Sequence, residues 1–179
     1  MLYEYEDYIM HKIITIINNI TDVSGRILMW FSWILTLIIV WEVVLRNVFG
    51  KPTLWAHEMS VMVFAALTIL SGAYTLKEKA HVNMDLFHMR LSDRGKAILD
   101  IITFPFFLLF ACVLLWLGWE FALRSVMLLE TSISNWHPPV WPIKLMVPLG
   151  ALLLLLQGIA KFLTDLTTII DTNRERNVV

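Results

Sequence analysis

Four long apolar runs, at 27–48, 55–76, 98–123 and 143–162, are separated by short polar segments along a chain of 179 residues. A helix needs roughly 20 apolar residues to cross a hydrocarbon core of about 30 Å, and each run reaches that length. In lipid a spanning segment has to satisfy its own backbone groups, so each run is predicted to be a helix. The pattern predicts an all-α integral membrane protein with four transmembrane helices in a membrane domain over 25–165.

Two segments outside the spans also have helical spacing. In the first, over 1–24, Ile9, Ile13, Ile16, Ile17, Ile20 and Val23 recur at helical intervals, with Glu6, Asp7, Lys12, Asn18 and Asn19 elsewhere around the turn. This predicts a separate amphipathic N-terminal helix, lying on the cytoplasmic interface or against a partner. The second, between spans two and three over 80–91, is a weaker pattern of the same kind and predicts a short amphipathic loop helix. Ser92 is placed to cap the start of the third helix. Residues 166–179 read as a cytoplasmic tail. Trp30, Trp33, Trp55, Trp119, Trp136 and Trp141 fall at or near span ends, as an aromatic belt requires.

Composition sharpens the picture. The chain is 58% hydrophobic and 16% charged, with a mean hydropathy of +0.70. Soluble domains carry about 25% charged residues, so an ordinary water-facing surface is excluded. A net charge of −1 gives no reason to expect nucleic acid as a partner. The single cysteine, Cys112, excludes a disulfide scaffold, a thiol relay and a cysteine metal cluster. The acidic start, Met1-Leu2-Tyr3-Glu4-Tyr5-Glu6-Asp7, lacks the basic region of a secretory signal, so the first span is expected to direct insertion. Basic residues orient the chain. Lys12, Arg26, Lys77, Lys79, Arg90, Arg94, Lys96, Lys161, Arg174 and Arg176 lie on one side, against Arg46, Lys51, Arg124 and Lys144 on the other. Both termini and the middle loop are therefore expected in the cytoplasm.

The candidate chemistry is sparse. The mid-depths of all four spans carry no charged residue, whereas a transporter that acts alone usually needs a carboxylate near the midplane. Charges gather at the ends. Trp41-Glu42-Val43-Val44-Leu45-Arg46 closes span one and Trp119-Glu120-Phe121-Ala122-Leu123-Arg124 closes span three. In both strings Glu and Arg are four apart and share a helix face. They read either as anchoring pairs left by a duplicated hairpin or as a chance match in a Trp- and Leu-rich chain. Glu58 opens span two after Trp55-Ala56-His57, and a Glu58–Arg46 contact is expected between the first two helices; the alternative is two independently snorkelling side chains. His81, Asp85 and His88 have the spacing of a metal face, but in a wet basic loop such residues more often make caps and hydrogen bonds. His11, His81, His88 and His137 lie outside the spans, which argues against a haem held between helices. Asn135-Trp136-His137-Pro138-Pro139-Val140-Trp141-Pro142 cannot be a regular helix. It reads equally as a docking surface or as a stiff lid at the headgroups. Pro105 and Pro148 are expected to kink helices three and four, and Gly118 and Gly158 to permit close helix approach without a GxxxG motif.

Taken in order, these strings resemble one family. Arg46-Asn47-Val48-Phe49-Gly50, then Trp55-x-x-Glu58, then His81-Val82-x-x-Asp85 is similar to the small membrane subunit of tripartite ATP-independent periplasmic (TRAP) transporters. The Trp136-x-Pro138-Pro139-x-x-Pro142 loop, with Leu149-Gly150 and Leu156-Gln157 after it, resembles the same family, and the likeness covers about residues 25–165. The resemblance implies a non-catalytic scaffold without cofactors in a bacterial or archaeal inner membrane. Its implied partners are a large substrate- and ion-translocating subunit, a periplasmic solute-binding protein and membrane lipids. The implied task is ion-driven uptake of an organic acid or similar solute. Carried onto this chain, Arg46, Trp55, Glu58, His81 and Asp85 become structural or interface candidates, beside Glu42, Glu120 and Arg124 of the two paired strings, with Pro139 and Pro142 in a loop expected to face the binding protein. Two other readings stand beside this one: a membrane anchor or cytochrome-like subunit of a respiratory complex, and a small self-sufficient homodimeric transporter.

Overall fold

A computed structural model describes the backbone of residues 2–78 and 93–178, with side chains placed for 8–78 and for 95–169 apart from Ala97. Four helices account for nearly all of it: α1 (Leu2–Val48), α2 (Trp55–Lys77), α3 (Asp93–Met127) and α4 (Trp141–Val178). Each contains a stretch long and apolar enough to cross a membrane, within Tyr8–Val48, Trp55–Lys77, Ile98–Met127 and Trp141–Ile169. The four predicted spans are therefore present. The α1–α2 and α3–α4 connections lie at one end of the bundle, here the loop end, and both termini at the other, the terminal end.

The predicted separate N-terminal helix is not seen. Residues 2–24 are the first half of α1, which continues for 47 residues without a break. The expected boundary was Gly25, yet one glycine in a helix costs only about 1 kcal/mol and does not stop it. Gly25 serves packing instead: a Cβ there would stand 2.5 Å from the Tyr74 ring of α2. The predicted middle-loop helix and the Ser92 cap lie outside the described residues. Helix α4 stays helical through Val178, so residues 166–178 continue it. Both α3 and α4 run on through their prolines, Pro105 and Pro148.

The bundle is built around α4. Its most extensive packing is with α3, it packs on α2 and more lightly on α1, and α1 and α2 pack together. Helix α3 is thus a layer on α4's far side. Lipid tails give no hydrophobic drive between helices, so close fit has to supply the attraction. Most buried apolar positions are accordingly small: Ala56, Ala66 and Ala73 on α2, Ala111 and Ala122 on α3, Ala151 and Ala160 on α4, beside the larger Ile17, Leu28 and Leu70. Glycines bring the backbones closer still. A Cβ on Gly118 would meet Val147, and one on Gly158 would meet the Phe107 ring at 2.0 Å, so these two glycines do permit close α3–α4 approach. Phe104 and Phe162 stack beside them with centroids 4.1 Å apart. On the α2 side, a Cβ on Gly150 would stand 2.7 Å from the Ile69 carbonyl oxygen.

Candidate functional site

Among the described residues, charged side chains and histidines lie towards the ends of the bundle. No Asp, Glu, Lys, Arg or His occurs between Arg26 and Glu42, Glu58 and Lys77, Asp100 and Glu120, or Lys144 and Lys161. Each helix therefore has a mid-section free of formal charge, and polar chemistry is divided between two levels.

At the loop end, α1 closes on Glu42, whose residue is only 8% exposed. One carboxylate oxygen accepts from Arg46 at 3.1 Å. The other accepts from the Thr53 N–H at 3.2 Å and from the Thr53 hydroxyl. A single carboxylate thus holds both strands of the α1–α2 turn. Gly50 supplies the left-handed φ of 62° that reverses the chain, and the Lys51 N–H donates to the Leu45 carbonyl at 3.1 Å. The Arg46 side chain is 61% exposed and presents its remaining donors outward.

Glu58 lies in the first turn of α2 and does not meet Arg46, contrary to the sequence expectation. Glu42 takes the guanidinium, one turn away on the same helix. Glu58 accepts a hydrogen bond from the Ser134 hydroxyl at 2.7 Å, which pins the α3–α4 loop to α2. Trp55 begins that helix and is half-buried. On α3, Glu120 and Arg124 do pair, but both are largely solvent- or lipid-facing. The two Trp-Glu-x-x-Leu-Arg strings are therefore unequal: the first is tied into a turn, the second sits on an outer face.

The α3–α4 loop is braced. Thr131 bridges Pro139, the Ser132 N–H donates to the Pro138 carbonyl at 2.9 Å and the Val140 N–H to the Glu130 carbonyl at 2.9 Å. Leu129 and His137 adopt φ of 44° and 49°, a conformation that non-glycine residues hold only when their surroundings impose it. Glu130 pairs with Lys144, whose ammonium also lies 4.3 Å from the Phe121 ring centroid. The Lys144 hydrogen bond holds the Glu130 carboxyl below its ordinary pKa. Pro138 is buried and Pro142 is half-buried in the first turn of α4, whereas Pro139 is exposed. What the loop presents outward is Ile133, 99% exposed, together with Trp136.

At the terminal end, three of the packed helix pairs have a polar tie of their own. Asp22 of α1 pairs with Lys77 of α2. Asp100 of α3 pairs with Lys161 of α4 at 2.8 Å. Between α1 and α4, the buried Thr21 hydroxyl donates to the Gln157 side-chain oxygen at 2.7 Å, and the Gln157 amide donates to Asn18 at 3.1 Å. None of these ties was foreseen. Gln157 had a signal, as the one amide in an otherwise apolar run, but its partner is 136 residues away. His81, Asp85 and His88 lie outside the described residues. Among the described residues no group of three His, Cys, Asp or Glu side chains is placed to hold a metal.

The polar contacts at both levels hold the helices and loops of this chain to one another. The arrangement stiffens a bundle. Residues 35–168 match a family model described as tripartite ATP-independent periplasmic transporters, DctQ component. The sialic acid TRAP transporter small permease protein SiaQ of Vibrio cholerae serotype O1 is 24% identical over 131 residues, 70% of this chain and 74% of that protein. The C4-dicarboxylate TRAP transporter small permease protein DctQ of the same organism is 24% identical over 123 residues, 68% of this chain and 47% of that protein.

Proposed function

The chain belongs to the DctQ family of small TRAP-transporter permease subunits, and from that premise we propose that it is the fixed scaffold against which a large permease subunit moves solute. It is a multi-pass inner-membrane protein and a transporter component, not an enzyme. A tripartite system implies a large permease and a periplasmic binding protein as partners. The observation that carries the scaffold reading is the division of polar groups just described. With no charged residue at mid-depth, the chain offers no charged partner for an ion or a charged solute in transit. Its terminal-end ties join α1 to α2, α1 to α4 and α3 to α4, which favours one rigid body.

The solute is an organic acid or a comparable small anion, in keeping with the sialic acid and C4-dicarboxylate named for the two relatives. The terminal end faces the cytoplasm in this reading, because ten of the fourteen basic residues lie on that side. The loop end then faces the periplasm. Its braced α3–α4 loop, with Ile133 and Trp136 outward, is the surface offered to the binding protein. Pro139 is exposed in that loop, whereas Pro142 supports it from within α4. The respiratory-anchor and self-sufficient-transporter readings are set aside by the family match.

The test is uptake by proteoliposomes that hold the large subunit, the binding protein and this chain. Omitting this chain is expected to abolish uptake, and Ile133→Ser with Trp136→Ser to slow it while the membrane complex still co-purifies. Uptake that is unchanged without the chain would overturn the scaffold reading. Dissociation of the complex by the loop variant would make the loop structural.

A further inference from the structure

Helix α1 is longer than any bilayer requires, and the excess has a pattern. Glu42 and Asp22 are twenty residues apart, about 30 Å of helix, which is the thickness of a hydrocarbon core. A core of that thickness set from Glu42 ends at Asp22, which is tied to Lys77 much as Asp100 is tied to Lys161. Residues from Ile9 to Ile20 lie beyond this level, with Ile9 about 20 Å past it. Asn18 and Thr21 are bonded to α4 and Ile17 is buried, so the helix follows the bundle there and does not turn flat onto the bilayer.

Two apolar lines run along this half of α1. One contains Ile17, Thr21 and Leu28 and is buried against the body of the protein. The other is Ile9, Ile13, Ile16, Ile20, Val23 and Ile27, every one of them exposed. Its spacing is 4, 3, 4, 3, 4, the repeat by which a helix packs along another helix. Lipid asks only for apolar surface and sets no such register, and lipid tails do not reach Ile9, Ile13 or Ile16. Beside this line, at intervals of seven, stand Lys12, Asn19 and Arg26, all exposed. Asp22, the acid of the 8–28 stretch, is engaged by Lys77. The exposed line therefore has a basic flank.

We infer that this line is a helix-docking seam for an apolar helix with acidic residues on its flank, contributed by the large permease subunit at the terminal end of the bundle. The inference rests on the scaffold reading and adds to it a location and a partner chemistry. A second copy of this chain fits less well. Two copies in one membrane share an orientation, and a parallel pair would set Lys12 opposite Ile17 and Arg26 opposite Phe31, neither of which is an acid.

The test uses the complex in its native membrane, with the photoreactive residue p-benzoylphenylalanine in place of Ile16 or, as a comparison, of His11, which is exposed on another face. Illumination is expected to join position 16, and not position 11, to a protein of the large subunit's mass. Ile13→Asn with Ile20→Asn is expected to lower the large subunit recovered on the tagged chain roughly tenfold, the effect of losing about 1.4 kcal/mol of contact. Lys12→Glu with Arg26→Glu is expected to lower it as well, with the isolated chain's helicity unchanged by either pair. An adduct of two copies, or no protein adduct from position 16 while the large subunit still co-purifies, overturns the seam and leaves the scaffold reading standing. Failure of the unmodified chain to bring down any large membrane protein overturns both.

Discussion

Glu42 and Glu120 occupy the same place in two copies of one string, and the structure gives them different work. Glu42 accepts from Thr53 and Arg46 at once, whereas Glu120 has Arg124 beside it on an open face. Glu42→Ala is therefore expected to lower the melting temperature of the purified subunit in detergent more than Glu42→Gln, which keeps an acceptor for Thr53. Glu120→Ala is expected to leave it unmoved, as exposed helical pairs contribute little. Gln157→Leu is expected to cost about 1 kcal/mol, within the range measured for hydrogen bonds between helices in membranes. The double change with Thr21→Val should cost less than the sum of the single ones, and a thermal-melt cycle reads the coupling. Glu130 makes a pH prediction. Its carboxyl is held below the ordinary value near 4.5 by Lys144. Stability from that tie is thus fully present above the ordinary value and is lost as pH falls through the lower, folded one. Trp136 fluorescence should stay constant through neutral and mildly acidic pH and change only below that range, and Glu130→Gln should remove the transition. Of these residues, the spacing of the sequence revealed the two Glu–Arg pairs, because both partners lie on one helix. It missed Thr53, Ser134 and Gln157's partners, which are brought in from other elements.

Among the helices, those that pack on α4 do so through absent side chains more than present ones. Gly150→Ala would place a methyl group 2.7 Å from the backbone oxygen of Ile69, an atom that cannot rotate away. A loss of about 1–3 kcal/mol is expected, read as a lower melting temperature and weaker α2–α4 packing. Gly158→Ala meets the Phe107 ring instead and is expected to fall in the same range, eased by any rotation of that ring. The spans themselves were legible because an apolar run of the right length has one solution in lipid. Their ends were less so. Residues 2–24 have the amphipathic pattern of an independent helix, and only contact with Tyr74 and Gln157 shows them to be an extension of the first span.

For the whole molecule, the expected orientation follows from charge and is open to a direct test. A cysteine placed at Asn47 should react with a membrane-impermeant maleimide in intact spheroplasts, and one placed at Lys12 should react only after lysis. The opposite result would invert the bundle and move the loop surface to the cytoplasm. The sequence by itself determined that this is a four-span membrane protein with no charged residue at mid-depth, because hydropathy and span length are local properties that lipid reads directly. Its motif order was also enough to indicate the family. Only the tertiary structure decided that α4 is the centre, that Glu58 serves the α3–α4 loop and not Arg46, and that one apolar line of α1 is covered while its neighbour is left open. Those outcomes depend on which faces meet across 50 to 140 residues of chain, and in an almost uniformly apolar sequence one face looks much like another until small residues and a few hydrogen bonds choose between them.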